Sequence, residues 1–223
     1  MNSKEAFDNV CFKIAEMYID KGWSYSKSKH WLTKKTKKFI YRVYFYTSWS
    51  NISDRNVTFY GEFAIINPKN KLKYFCIVTH QCNIPENKLH WNIAKKEWWY
   101  VAIEEFTLWL DINFMPIVEE CENNLDKYVN KVVEQGFFPS KGYVIDIDFV
   151  LNYGSIEQAQ EAAKRFYDNL DDDVKPKFRE NYESMINGGE AVSLYGKNHM
   201  MNHTNFRKII ENKIHIDFSV ECR

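Results

Sequence analysis

Glycine and proline are scarce in this chain, 8 and 5 among 223 residues. Few glycines means few phosphate-cradling loops and few tight hairpins built on positive φ. The motifs that carry nucleotide and acyl chemistry are missing as well. No GxxxxGK(S/T), GxGxxG or GxSxG occurs, which argues against a P-loop nucleotide hydrolase, a dinucleotide enzyme of the usual kind and an α/β-hydrolase. No apolar run approaches the roughly 20 residues of a membrane-spanning helix, so no membrane partner is expected. Charge of one sign is lacking too: 30 Lys and Arg balance 30 Asp and Glu. A chain devoted to nucleic acid would show a basic excess, and an acidic disordered chain the reverse.

The five cysteines, Cys11, Cys76, Cys82, Cys121 and Cys222, are odd in number, scattered, and form no CxxC. They read as free thiols in a reducing compartment. Met1 to Glu5 is polar and lacks the apolar stretch of a signal peptide. A cytoplasmic protein without a cofactor is expected.

What is present is aromatic. Hydrophobic residues make up 45% and aromatics 17%, enough for a sizeable core. An apolar helical stripe through Phe7, Val10, Cys11, Ile14, Met17 and Tyr18 predicts a helix from Ser3 to Lys21, capped by Ser3 and stopped at Gly22. Trp23 to Leu32 reads as a short strand or hairpin arm. Phe39–Ser48, Val57–Ile66 and Lys73–His80 read as strands, rich in β-branched and aromatic residues. Gln81 to Lys96 is irregular. A helix is expected from Ala102 to Ile112, and another from Pro116 to Gln135, ended by Gly136. Tyr143 to Leu151 alternates apolar and acidic residues as a strand does. Ser155 caps a helix to Leu170, with Glu157 and Gln158 in its first turn. Helices over Val174–Met185 and Asn205–Asn212 follow, then a strand from Ile214 to Val220. The expected fold is α+β: an antiparallel sheet with helices packed on one face and a helical C-terminal part. Residues 1–136 would form one domain and 137–223 an annex, unless the whole is a single domain.

The order of helix, Gly22-Trp23, lysine-rich hairpin, aromatic strands, Trp98-Trp99, the apolar segment through Asp111-Ile112 and the helix opened by Pro116 resembles the DUF4304-like bacterial domains of unknown function. The resemblance covers about residues 4–135. It implies an α+β fold and a bacterial origin, and it assigns no functional residues.

Candidate sites are few. His80 and Cys82 lie two apart at the end of a predicted strand, on one face. With His90 or Cys76 they would serve as metal ligands or as a thiol nucleophile with its base. His199 and His203 are four apart but lack the Glu of HExxH. Asp146 and Asp148 share one face of the predicted strand, as paired carboxylates that hold Mg²⁺ do. The basic run Lys27, Lys29, His30, Lys34, Lys35, Lys37, Lys38 and Arg42 interleaves with Trp31, Phe39 and Tyr41, the pairing of lysines for phosphate and rings for bases. Trp91, Trp98 and Trp99 belong to a crowded tryptophan tract, and any that is exposed marks a protein interface.

The leading expectation is a non-enzymatic bacterial protein that binds another protein, in an immunity or defence-associated role, with Trp91, Trp98, Trp99, Lys34, Lys35, Lys37 and Lys38 as its contact residues. The alternatives are a metal-dependent or thiol enzyme centred on His80, Cys82 and His90, and a nucleic-acid binder using the Lys27–Arg42 hairpin.

Overall fold

A computed structural model describes residues 2–78, 90–139, 142–190 and 204–219. The described chain divides into two compact units, Met1–Asn123 and Asn124–Arg223. The fold is α+β, an antiparallel sheet with helices on one face followed by an all-helical part.

In the first unit, α1 spans Ser3–Ile19. Its cap is Asn2 rather than Ser3: the Glu5 N–H donates to Asn2 Oδ1 at 2.8 Å. Gly22 follows with φ 84, the left-handed turn that glycine adopts most readily. The strands β1 (Ser24–Ser26), β2 (Trp31–Lys35), β3 (Ile40–Thr47), β4 (Thr58–Ile66) and β5 (Lys73–Val78) form an antiparallel meander in that order. A two-residue strand, β6 (Trp91–Asn92), pairs with Thr58 and Phe59 at the start of β4. It falls in the segment expected to be irregular. Asn92 secures it: its side chain accepts from Val57 N and Ala94 N and donates to Arg55 O.

The helix α2 runs Trp99–Asn113, three residues earlier than expected, behind a 3-10 turn at Lys96–Trp98. The helix expected from Pro116 to Gln135 is two: α3 (Met115–Asn123) and α4 (Leu125–Gln135). Asn124 interrupts them with φ −149 and ψ 61, outside the helical region. Strand residues whose side chains face the helices are large and apolar: Tyr41, Val43, Phe45, Phe59, Phe63 and Ile65 are all buried. Phe106 of α2 sits among Phe45, Phe59, Trp91 and Trp109 with ring centroids 5.0–5.8 Å apart. It reaches the sheet because position 61 is glycine; a Cβ there would lie 2.4 Å from the Phe106 ring.

The second unit holds α4, α5 (Ile147–Tyr153), α6 (Ile156–Asp168), α7 (Lys175–Met185) and α8 (Thr204–Glu211). Ser155 caps α6 in a full capping box with Gln158. Two expected strands are absent among the described residues. Tyr143–Leu151 is extended only before Ile147, where α5 begins. Asp146 supplies the reason, since its carboxylate accepts from Phe149 N at 3.1 Å as an N-cap, and Asp148 sits in the first turn, where a negative charge is favoured. The apolar run alone does not separate helix from strand at this length. Residues 214–219 pair with no strand. The Tyr182 hydroxyl donates to Ile214 O and accepts from Ile216 N, both at 3.0 Å. One side chain thus serves buried backbone groups that a neighbouring strand would otherwise serve.

Candidate functional site

The register of β2, β3 and β4 builds a second, aromatic face on the side of the sheet away from the helices. Side chains alternate across a strand. Arg42, Tyr44 and Tyr46 of β3, Tyr60 and Glu62 of β4 and Trp31 of β2 are therefore directed outward, and all are half-buried. Trp31 stands opposite Tyr44, Thr33 opposite Arg42, Tyr44 opposite Glu62 and Tyr46 opposite Tyr60. The rings make a connected row. Trp31 meets Tyr44 edge-on at 5.7 Å, Tyr44 stacks with Tyr46 at 6.1 Å and 12°, and Tyr46 stacks with Tyr60 at 5.4 Å and 27°. The two cross-strand pairs, Trp31–Tyr44 and Tyr46–Tyr60, stabilise the sheet by about 0.2–1 kcal/mol each. At the inner end, Tyr44 packs on a buried cluster of Ile40, Ala64 and Ile66.

Cations thread the row. The Arg42 guanidinium lies 3.9 Å from the Trp31 ring centre and 5.6 Å from that of Tyr44. The Lys29 ammonium lies 4.7 Å from Trp31, and that of Lys73 lies 4.4 Å from Tyr44. Glu62 pairs with Lys73. Burial draws the Lys73 pKa down, but the Glu62 hydrogen bond and charge outweigh it and leave the net shift upward. Partial burial, then the Glu62 carboxylate, push Tyr46 upward, so its phenol keeps its proton. Beyond Thr47 the chain presents Trp49, 98% exposed, on the loop to β4.

The residues singled out by sequence are distributed differently. His80 and Cys82 lie outside the described residues, as do His199 and His203. His90 borders a groove of about 410 Å³ with Trp91, Asn92, Trp98, Val101 and Ala102. Trp91 is buried and its indole N–H donates to Glu105 Oε2 at 2.6 Å. Trp99 is buried and donates to Ile93 O. Trp98 alone of the three meets solvent, beside the Lys95 ammonium. Lys35, Lys37 and Lys38 are exposed, and Lys34 is half-buried with its ammonium directed at Lys21 O. Phe39 and Tyr41, the rings read with these lysines, are in the core. The Tyr41 hydroxyl donates to Glu122 Oε1 at 2.5 Å, and Thr36 Oγ1 donates to the same oxygen. Of that run, Trp31, Lys35 and Arg42 lie on the outer face, with Lys29 above the Trp31 ring. Asp146 caps α5 and Asp148 pairs with Lys208 at 3.1 Å, so these two carboxylates serve a helix terminus rather than a strand face.

The row of Tyr44, Tyr46 and Tyr60 had a sequence signal in the alternation along β3 and β4. Which side of an aromatic strand is covered, however, depends on where the helices pack.

A second concavity, about 510 Å³, lies along α1 and is lined by Glu5, Asp8, Asn9, Phe12, Tyr25 and Lys27 among others. Asp8 Oδ1 is 2.8 Å from His30 Nε2. Cys11, beneath it, is fully buried, and desolvation together with the Asp8 charge pushes its thiol well up, which makes it a poor nucleophile. Among the described residues no group of three or more His, Cys, Asp or Glu is placed to hold a metal ion. On the outer face, Glu62 is committed to Lys73 and Cys76 is held upward by burial and by Glu62.

No protein-family model, curated protein or solved structure matches this chain. Among the described residues no helix is long and apolar enough to cross a membrane.

Proposed function

We propose that this chain is a non-enzymatic binding protein that captures another protein on the outer face of its sheet. The observation that carries this reading is the contiguous group Trp31, Arg42, Tyr44, Tyr46 and Tyr60 on one half-buried surface. Trp, Tyr and Arg are the residues that dominate binding energy at protein interfaces, where a single anchor contributes 2 kcal/mol or more. They are already fixed by one another, so little side-chain freedom is lost on binding. A protein partner is favoured over nucleic acid by the rings themselves. Base stacking needs an open ring face, whereas Tyr44, Tyr46 and Tyr60 stack on each other and Arg42 lies on Trp31. An immunity or defence-associated role, which works by stoichiometric capture, is consistent with a surface of this kind.

The test is recovery of a stoichiometric partner from native cells with the tagged wild type, beside Tyr46→Ala/Tyr60→Ala and Lys37→Ala/Lys38→Ala variants. The reading expects the partner to be lost with the tyrosine variant and retained with the lysine one. A partner that ignores the tyrosines, or survives their loss and leaves with the lysines, overturns it.

A further inference from the structure

Resting on that reading, we infer that the partner's contacting surface is an acidic protein segment, and that Arg42 receives one of its carboxylates. The outward side chains of the described sheet are unequal in charge. Lys35, Arg42 and Lys73 are cationic, and Lys29 joins them above Trp31; Glu62 is the sole anion. Glu62 is engaged by Lys73, which leaves Lys29, Lys35 and Arg42 without a carboxylate among the described residues. The whole chain is neutral, with 30 charges of each sign, so this imbalance belongs to the face and not to composition.

Arg42 is held as a recognition group. Its Nε donates to Thr33 Oγ1 at 3.3 Å, and one Nη reaches the Tyr44 hydroxyl at 3.5 Å. A guanidinium has five N–H donors in a planar fork, so most of them have no acceptor among the described residues. The fork lies on Trp31, and a guanidinium fixed in this way is pre-organised for a bidentate carboxylate. The surroundings favour the same ligand. Tyrosine hydroxyls donate, and aromatic ring edges carry partial positive charge. A basic partner would have to desolvate Arg42 against like charge, and a neutral one would accept its hydrogen bonds without neutralising it.

The probe is a short polyglutamate peptide, followed through the side-chain Nε–H resonance of Arg42 in ¹⁵N-arginine-labelled full-length protein. Polylysine and oligothymidylate of equal length serve as controls. Polyglutamate should shift that resonance and bind more weakly as salt rises. Arg42→Gln should weaken it about tenfold or more, the order expected for truncating one partner of a charged hydrogen-bonded pair. Arg42→Lys, which keeps the charge and loses the fork, should recover part of the loss. No shift with polyglutamate, or equal binding by Arg42→Gln, overturns the acidic partner. An Arg42 resonance that moves with protein concentration alone does so too, because the occupant is then a second copy. Each of these leaves the capture reading to be judged by the Tyr46 and Tyr60 variants. Tighter binding of oligothymidylate through Arg42 would sink both.

Discussion

The guanidinium of Arg42 lies over the indole of Trp31 across the β2–β3 pair, 3.9 Å from its ring centre, and Trp31 is two residues along β2 from Thr33, the direct neighbour of Arg42. The strand pairing fixes both residues on one side, so the contact follows from register. A double-mutant cycle of Trp31→Ala and Arg42→Ala should show a coupling of about 1 kcal/mol in urea denaturation, between the exposed and desolvated limits for a cation over a ring. A coupling indistinguishable from zero would mean that the fork is not held by the ring.

Gly61→Ala should destabilise the first unit by about 2–3 kcal/mol. The added methyl would sit 2.4 and 2.5 Å from two Phe106 ring atoms and 3.2 Å from the Tyr44 carbonyl. Phe106 is fully buried and has no room to retreat. Adding Phe106→Leu should recover part of the loss in thermal or chemical denaturation. An unchanged midpoint for Gly61→Ala would show that the core yields there.

Asp146 should make the second unit less stable as pH rises. Burial, with a smaller contribution from Asp148, pushes its carboxyl up to about 6 from an ordinary value of 3.8. The folded state therefore holds the proton more tightly than the unfolded one. The stabilisation is present below about pH 4 and is lost as pH climbs to about 6. Asp146→Asn keeps a good N-cap without the buried charge. It should add about 1–2 kcal/mol at neutral pH and flatten the pH dependence in that window. A destabilised Asn variant at neutral pH would show that the carboxylate's cap outweighs its burial.

Among the described thiols, Cys76 should react first. It is exposed on the outer face, while Cys11 and Cys121 are buried with their pKa values pushed up chiefly by desolvation. Cys76 is also raised, so its labelling should be slow at neutral pH and quicken as pH rises. Mass spectrometry of partly labelled protein reads the order. Labelling of Cys11 or Cys121 ahead of Cys76 would contradict the packing of α1 or α3.

Much of the fold was legible because periodicity and capping agreed. The stripe through Phe7, Val10, Ile14 and Tyr18 marks α1, and Ser155 with Gln158 marks α6. The two missing strands share a cause. Asp146 and Tyr182 replace strand pairing with side-chain hydrogen bonds, and a short apolar run does not announce which of the two will serve its backbone. The outer face was half legible. Phe39, Tyr41, Tyr44 and Tyr46 read alike in sequence, yet the first two are core and the last two face outward. Alternation separates neighbours such as Phe45 and Tyr46, but only the packing of α1 and α2 decides which side is covered. The tryptophan tract drew attention by density, while buried acceptors such as Glu105 and the Ile93 carbonyl hold Trp91 and Trp99 inside.

His30 stands immediately before Trp31 with φ 50, a left-handed backbone that costs a non-glycine residue on the order of 1 kcal/mol. Asp8 of α1 meets its ring at 2.8 Å, and Phe7 packs on it. The first tryptophan of the outer face is thus aimed by a helix on the opposite side of the sheet. A change at Asp8 would therefore reach the outer face through the placement of His30 and Trp31, with no substitution on that face itself.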